Sequence, residues 1–210
     1  MKSLHRFGFG RMLALMATAL IAVAPAQAQA PAATAKATFA GGCFWCVEAD
    51  FDKVDGVKET VSGYIVGEED NPTYETHVAN GDREAVRITY DPSTVSYDEL
   101  LKTFFRTVDP TDEGGQFCDR GFSYTTAVYT MNAAQAEAAR EAKAEAGEAL
   151  GKPVVTEIVD ATEFWPAEEY HQNYYKKNPI RYRYYRYGCG RDNRIEELWG
   201  SAANYGLEKS

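Results

Sequence analysis

Apolar and polar side chains alternate along several short segments of the chain, and this alternation predicts strands. Residues 57–66 and 85–90 show the period of two that is expected of strands with one buried face. Short apolar or β-rich runs at 37–40, 125–131 and 154–159 add three more candidate strands. No internal repeat is present, so the segments predict one sheet within a single domain.

Three segments carry the signals of helices. Ser96 and Glu99 form a capping box directly before an apolar run that begins at Leu100. Residues 133–150 are rich in Ala and Glu, which are strong helix formers, and a glycine follows them. Residues 46–54 are amphipathic and predict a shorter helix near the start of the domain.

Long polar segments separate these elements. Residues 67–81 and 109–122 are rich in turn-forming residues and predict loops, and loops of this length in a compact domain are often functional. The tail from Phe164 is aromatic and predicts mostly loop, with a short helical stretch around 167–176. The succession of strands and helices predicts an α+β fold, built as a two-layer α/β sandwich, and leaves the strand order open.

The first thirty residues have the design of a secretory signal peptide. A basic start precedes an apolar core at 12–23, and small-x-small cleavage sites end at Ala28 and Ala30. The core is short for a membrane span, and an uncleaved anchor is the alternative. We expect removal of residues 1–30, a domain at 31–210, and a periplasmic or secreted protein with no membrane anchor after cleavage.

Charge argues against two classes of partner. The net charge is −9, and loss of a leader with three basic and no acidic residues would take it to −12. A chain this acidic is a poor ligand for nucleic acid or for an anionic membrane surface. We expect a monomer whose partners are other proteins.

The most informative motif is Gly42-Cys43-Phe44-Trp45-Cys46, which lies between a predicted strand and a predicted helix. The glycine predicts a tight turn that places Cys43 at the first turn of the helix. Unpaired N–H groups and the helix dipole stabilise an anion there, so the thiolate, which is the nucleophilic form, should be favoured. The two aromatic residues would supply an apolar wall beside the sulfur.

Other interpretations of the cysteines are open at this point. A Cys-x-x-Cys pair also occurs in zinc sites, but the remaining cysteines, Cys118 and Cys189, are isolated from one another in sequence. The pair could instead belong to a dithiol–disulfide oxidoreductase that acts on protein thiols. In an oxidising compartment, the four cysteines could also form two structural disulfides of a binding domain that is not an enzyme.

Several motifs, in order, resemble the peptide methionine sulfoxide reductase A family, over roughly residues 36–200. The resemblance implies a mixed sheet with a ferredoxin-like split βαβ core and a long irregular C-terminal segment. It also implies thiol-dependent reduction of methionine S-sulfoxide, free or in proteins, without a bound cofactor or metal. The motifs are Gly42-Cys43-Phe44-Trp45, Asn71-Pro72-Thr73-Tyr74, Tyr90-Asp91-Pro92, Asp119-Arg120-Gly121 with Tyr124, Phe164-Trp165-Pro166-Ala167-Glu168 with His171-Gln172, and Asn178-Pro179.

The same resemblance assigns roles to individual residues. Cys43 would be the nucleophile, and Phe44 and Trp45 would form the pocket for the substrate methyl group. Glu84, at the head of a predicted strand, would polarise or protonate the sulfoxide oxygen, because desolvation helps a carboxyl group to retain its proton. This chain has Gly81-Asp82-Arg83 where the family often has Gly-His before the residue that precedes the acid.

Three further residues would complete the substrate site. The hydroxyl groups of Tyr74 and Tyr124 would hold the sulfoxide oxygen, and Asp119 would grip the substrate backbone or a water molecule. Each tyrosine is one of fourteen in the chain, so the motif rather than the residue type selects them.

A second thiol must resolve the sulfenic acid that the reaction leaves on Cys43. Cys189 resembles the family's C-terminal resolving cysteine, with Cys46 and Cys118 as the alternatives. Family members with two C-terminal cysteines have one more than this chain, so one step of their disulfide relay would be missing or moved. A thioredoxin-like protein would return the enzyme to the dithiol state, and residues 181–187, which alternate Arg and Tyr, could dock it.

Overall fold

A computed structural model of the chain describes residues 33–207, and within them eight strands and six α-helices. Short 3₁₀ turns cover Phe122–Tyr124 and Gly200–Ala202. The strands are β1 Ala35–Gly41, β2 Val57–Ile65, β3 Arg83–Tyr90, β4 Gly115–Gln116, β5 Asp119–Arg120, β6 Thr126–Thr130, β7 Glu157–Asp160 and β8 Phe164–Pro166. The helices are α1 Phe44–Phe51, α2 Tyr97–Phe105, α3 Ala133–Leu150, α4 Tyr174–Lys177, α5 Pro179–Gly188 and α6 Arg191–Trp199.

Six strands form one mixed sheet in the order β7-β6-β1-β3-β2-β8. β3 lies between β1 and β2 and is antiparallel to both, which is the split βαβ arrangement. β6 is antiparallel to β1 on the other side, so β6-β1-β3-β2 is the ferredoxin-like core. β7 adds a parallel strand at one edge and β8 an antiparallel strand at the other. The predicted α+β class with a mixed sheet is therefore confirmed.

Aromatic contacts attach the first two helices to the sheet. The ring of Phe39 on β1 lies 5.4 Å from that of Phe51 on α1 and 4.9 Å from that of Phe104 on α2. All three side chains are buried. Because such a ring fills space that no neighbour can fill, replacing Phe39 by Ala would cost about 3–5 kcal/mol of stability. The α1 helix, and the motif at its start, is thereby fixed against the sheet.

Local sequence signals predicted the two helices in the middle of the chain, α2 and α3, correctly. The predicted capping box begins α2: the Ser96 hydroxyl accepts from the Glu99 N–H at 3.2 Å, and the Glu99 carboxylate accepts from the Ser96 N–H at 2.8 Å. The predicted helix 133–150 is α3, and its end at Gly151 has the left-handed backbone that favours glycine.

The C-terminal region differs from the prediction. It contains α4, α5, α6 and the edge strand β8, whereas a mostly irregular tail with a helical stretch near 167–176 was expected. Asn178-Pro179 begins α5 with a proline at the first turn, where its missing N–H costs nothing. Tyr182 and Tyr185 then turn inward at helical spacing, so contacts with the domain stabilise a segment whose composition suggested a loop.

The predicted signal peptide, residues 1–30, lies outside the described residues. Within 33–207, none of the helices has both the length and the apolar character needed to cross a bilayer.

Candidate active site

A tight turn between β1 and α1 places Cys43. Gly42 has a φ of +82°, and a Cβ at this position would come within 2.5 Å of the Gln116 side chain, so a glycine is required. Cys43 is the N-cap of α1, and only 7% of it is exposed. The predicted strand–turn–helix arrangement is present, with the sulfur just below the surface.

Glu84, the second residue of β3, lies directly beside this helix start. Its Oε2 accepts a hydrogen bond of 2.9 Å from the Phe44 N–H, the first free amide of α1. The residue is 2% exposed. Burial, assisted by the negative charge of Asp119, raises the pKa of Glu84 to about 8. Glu84 is thus largely protonated at neutral pH and can donate a proton into the site.

The ionisation of Cys43 differs from the expectation of a favoured thiolate. Burial raises the pKa of Cys43, and the neighbouring Cys46 acts in the same direction, as does Glu84 when it is ionised. Glu84 also occupies the amide of Phe44 that would otherwise stabilise a thiolate. Cys46 is the more acidic partner: the hydrogen bond from Cys43, and then the positive charges of Arg191 and Arg186, lower its pKa to about 7.

His77, which the sequence did not indicate as a site residue, lies beside Glu84. Its Nδ1 donates to the Tyr74 carbonyl at 2.8 Å, and its Nε2 lies 3.7 Å from Glu84 Oε1. The imidazole is buried and stacks between the rings of Tyr64 and Tyr74. Only the folded chain brings the loop 67–81 close enough to β3 for this contact.

The two aromatic residues of the motif form one wall of the site. Phe44 is buried, and Trp45 stacks on Tyr174 with ring centroids 3.7 Å apart and planes 5° apart. The Trp45 indole N–H donates to His171 Nδ1 at 2.9 Å. Because stacking and a hydrogen bond fix this ring, the wall is preorganised for a small apolar group.

The 67–81 loop contributes Tyr74 at the mouth of the site. Glu168 anchors the loop: it accepts from the Tyr74 backbone N–H and from the Tyr64 hydroxyl, both at 2.9 Å. Burial raises the pKa of Tyr74 to about 12, and it raises the pKa of Tyr124 as well. Both phenols are therefore neutral hydrogen-bond donors at physiological pH.

Asp119, on β5, lines the cavity together with Tyr185, which the sequence did not indicate as a site residue. The Tyr185 hydroxyl on α5 donates to Asp119 Oδ2 through a short hydrogen bond, and Tyr185 lines the same cavity as Cys43. Its ring meets Trp45 edge-on. The helical spacing of Tyr182 and Tyr185 in the Arg/Tyr-rich run was the one signal that could have indicated an inward side chain.

These residues line one small cavity. Its volume is about 50 Å³. Every predicted site residue except Cys189 lines it, and Tyr185 is the addition. The lining residues are Cys43, Phe44, Trp45, Tyr74, Glu84, Asp119, Tyr124 and Tyr185.

Cys189 forms a disulfide with Cys118, and their Cα atoms lie 4.9 Å apart. Cys43 and Cys46 are free thiols. The bridge predicted for the oxidised enzyme, Cys43 to Cys189, is thus not the one present here, and the resolving role of Cys189 stays a prediction. Among residues 33–207, Cys118, Asp119 and Cys189 gather three possible metal-ligand atoms, but the two sulfurs are bonded to each other and are not thiolates.

Comparison with known proteins identifies the family in which this arrangement of residues occurs. A family model described as peptide methionine sulfoxide reductase matches residues 35–203. The chain belongs to the peptide methionine sulfoxide reductase family. The peptide methionine sulfoxide reductase MsrA 2 of Rhizobium meliloti is 57% identical over 171 residues, which cover 81% of this chain and 86% of that protein.

Solved structures agree with this family assignment. The reduced form of Mxr1 from Saccharomyces cerevisiae matches with a TM-score of 0.68 and 30% identity, over 72% of this chain and 89% of that one. Mxr1 in complex with Trx2 matches with a TM-score of 0.51 and 25% identity, over 69% and 87%.

Proposed function

We propose that the protein reduces methionine S-sulfoxide, free or within peptides and proteins, to methionine, with Cys43 as the nucleophile. The observation that carries the proposal is the cavity in which the Cys43 sulfur, the protonated Glu84 carboxyl group and the aromatic wall converge. A sulfoxide carries three features that match them: an electrophilic sulfur, a weakly basic oxygen and a methyl group.

Attack begins at the Cys43 sulfur. The substrate methyl group packs against Phe44 and Trp45, which directs the sulfoxide sulfur toward Cys43. As the sulfur–sulfur bond forms, Cys43 gives up its thiol proton while the sulfoxide oxygen gains one, so that the net charge of the site does not change. Burial keeps water away from the reacting atoms and strengthens the interactions of the site with developing charge.

Negative charge builds up on the sulfoxide oxygen during the attack. Glu84 supplies a proton to that oxygen, and the hydroxyl groups of Tyr74 and Tyr124 donate hydrogen bonds to it. The sulfur–sulfur bond then breaks as the hydroxyl group passes from the substrate sulfur to the Cys43 sulfur, which releases methionine and leaves a sulfenic acid on Cys43. A second thiol of the chain condenses with the sulfenic acid, releases water and forms an intramolecular disulfide.

The test of the function is turnover of a peptide that contains methionine S-sulfoxide, with dithiothreitol as reductant. The proposal predicts steady release of methionine from the S epimer and none from the R epimer, since separate enzymes serve the two epimers. A dithiol–disulfide oxidoreductase would instead reduce protein disulfides. Cys43 and Cys46 are only 7% and 2% exposed, which argues against direct exchange with a folded protein's disulfide. Reduction of insulin disulfides without sulfoxide turnover would favour that alternative.

The reductant is proposed to be a thioredoxin-like protein that docks on the outer face of α5. The solved complex of the related Mxr1 with Trx2 supports this class of partner. Ile180, Tyr184 and Tyr187 lie three to four residues apart on α5 and are 77%, 82% and 82% exposed. The same helix ends at Cys189, so a protein seated on this face would lie beside the exposed disulfide.

Tyr184→Glu is expected to raise the KM for thioredoxin about tenfold, because the change places a charge within the apolar contact, and a tenfold change corresponds to about 1.4 kcal/mol. The rate with dithiothreitol, which needs no docking surface, should be the same in the variant and in the wild type. An unchanged KM for thioredoxin in the variant would remove α5 from the docking surface.

We also propose that residues 1–30 act as a signal peptide and that the enzyme works in the periplasm or outside the cell. The basic start, the short apolar core and the two cleavage motifs support this location. Intact mass of the exported protein should correspond to cleavage after Ala28 or Ala30. A protein that retains its leader would overturn the proposal.

A further inference from the structure

The loop between β2 and β3 contains a buried histidine to which the reaction described above gives no part. His77 is 2% exposed, and among the described residues its Nε2 has no hydrogen-bond partner. A buried polar atom without a partner costs free energy, because water no longer solvates it. Such an atom beside a reacting group therefore points to a role in the site.

The other ring nitrogen of His77 fixes what Nε2 can offer. Nδ1 lies 2.8 Å from the Tyr74 carbonyl oxygen, which can only accept, so Nδ1 carries the proton of the neutral imidazole. Nε2 then presents a lone pair and acts as an acceptor. The rings of Tyr64 and Tyr74 stack on the imidazole, with centroids 5.1 Å and 5.5 Å from its own, and restrict its rotation. The lone pair is thus held in one direction.

That lone pair lies beside one of the two oxygens of Glu84. Nε2 is 3.7 Å from Oε1, whereas Oε2 accepts the hydrogen bond from the Phe44 N–H. In a carboxylic acid, the oxygen without the proton is the better acceptor, so the proton of Glu84 belongs on Oε1. Glu84 holds this proton near neutral pH, since its pKa is about 8. An O–H group on Oε1 is the donor that Nε2 lacks.

We propose that His77 is a positioning residue that keeps the proton of Glu84 on Oε1 until the sulfoxide oxygen takes it; this rests on the proposed function. The separation of 3.7 Å is longer than a formed hydrogen bond, so His77 orients the proton without retaining it. During the attack, the bond between Oε1 and its proton breaks and the proton passes to the sulfoxide oxygen. The carboxylate that remains keeps its hydrogen bond from the Phe44 N–H.

His77 also connects two groups that act on the sulfoxide oxygen. Its Nδ1 binds the backbone of Tyr74, and its Nε2 lies beside Glu84. A change at His77 could therefore slow the reaction through either residue, and the experiment has to separate the two contacts.

Two substitutions separate them. The amide group of asparagine ends near the position of Nδ1, so His77→Asn can keep the hydrogen bond to the Tyr74 carbonyl but offers Glu84 no acceptor. The longer glutamine reaches the position of Nε2, so His77→Gln offers Glu84 an acceptor oxygen and gives up the bond to Tyr74. Single-turnover rates at several concentrations of S-sulfoxide peptide distinguish chemistry from binding. We expect His77→Asn to slow the chemical step about tenfold with little change in binding, and His77→Gln to recover most of that loss.

The same substitution combined with Glu84→Gln shows whether His77 acts through the acid. Without an acidic proton to position, adding His77→Asn should change the rate by less than about twofold. Far-UV circular dichroism checks that each variant is folded.

Three results would overturn the proposal: His77→Asn as fast as the wild type, a loss in His77→Gln at least as large as that in His77→Asn, or a tenfold loss when His77→Asn is added to Glu84→Gln. The last two would assign His77 to the support of Tyr74 alone. Failure of the proposed function has a different signature, because then the wild type itself would form no methionine.

Discussion

Cys43→Ser is expected to abolish the reduction of methionine sulfoxide. A serine hydroxyl at the start of α1 stays protonated near neutral pH and is a far weaker nucleophile than a thiol, so it cannot attack the sulfoxide sulfur. The measurement is a single turnover with reduced enzyme and S-sulfoxide peptide, with methionine counted against enzyme.

Cys118→Ser provides the matched control, because the same exchange outside the cavity should still allow the first equivalent of methionine. Far-UV circular dichroism checks that the Cys43 variant is folded. More than a trace of methionine from Cys43→Ser would end the assignment of the nucleophile.

Glu84→Gln is expected to slow the chemical step by roughly a hundredfold or more, the usual scale of general acid catalysis. The amide keeps the size of the side chain, but it has no acidic proton to give to the sulfoxide oxygen. Binding of the substrate should change far less, since the aromatic wall is untouched. Single-turnover rates at several sulfoxide concentrations separate the two effects.

The pH dependence identifies the role of Glu84 more sharply. The pKa of Glu84 is about 8, so the acid form that donates the proton is lost as the pH rises through that value. The ratio of the wild-type rate to the Glu84→Gln rate should therefore shrink above about pH 8. A variant as fast as the wild type at pH 7 would transfer the role to Tyr74 or Tyr124.

Short-range signals in the sequence were sufficient to predict where Cys43 lies, at the start of a helix that follows a tight turn. Gly42 requires a left-handed turn, and a turn followed by an amphipathic run predicts a helix start at Cys43, as found. The capping box at Ser96 and the Ala/Glu-rich segment 133–150 are likewise local features, and both helices lie where these signals placed them.

The parts that were missed depend on contacts between distant segments. Cys118 and Cys189 are 71 residues apart, and the spacing of four cysteines does not determine which of them pair. The raised pKa of Cys43 arises mainly from burial and from Cys46, with a smaller contribution from Glu84, which is 40 residues away along the chain. Tyr185 reaches the cavity because α5 packs against α1 around Cys46, and composition alone does not indicate such packing.

One measurement tests most directly whether Cys43 takes the oxidising equivalent from the substrate. In the variant Cys46→Ser/Cys118→Ser/Cys189→Ser, Cys43 is the only cysteine left of the four in the chain. The reduced variant is mixed with S-sulfoxide peptide and dimedone, which traps a sulfenic acid, and both methionine and the adduct are measured by mass spectrometry. We predict one methionine for each Cys43 adduct and neither product with the R epimer. A folded variant that forms no methionine, or that forms methionine without oxidation of Cys43, would contradict the account.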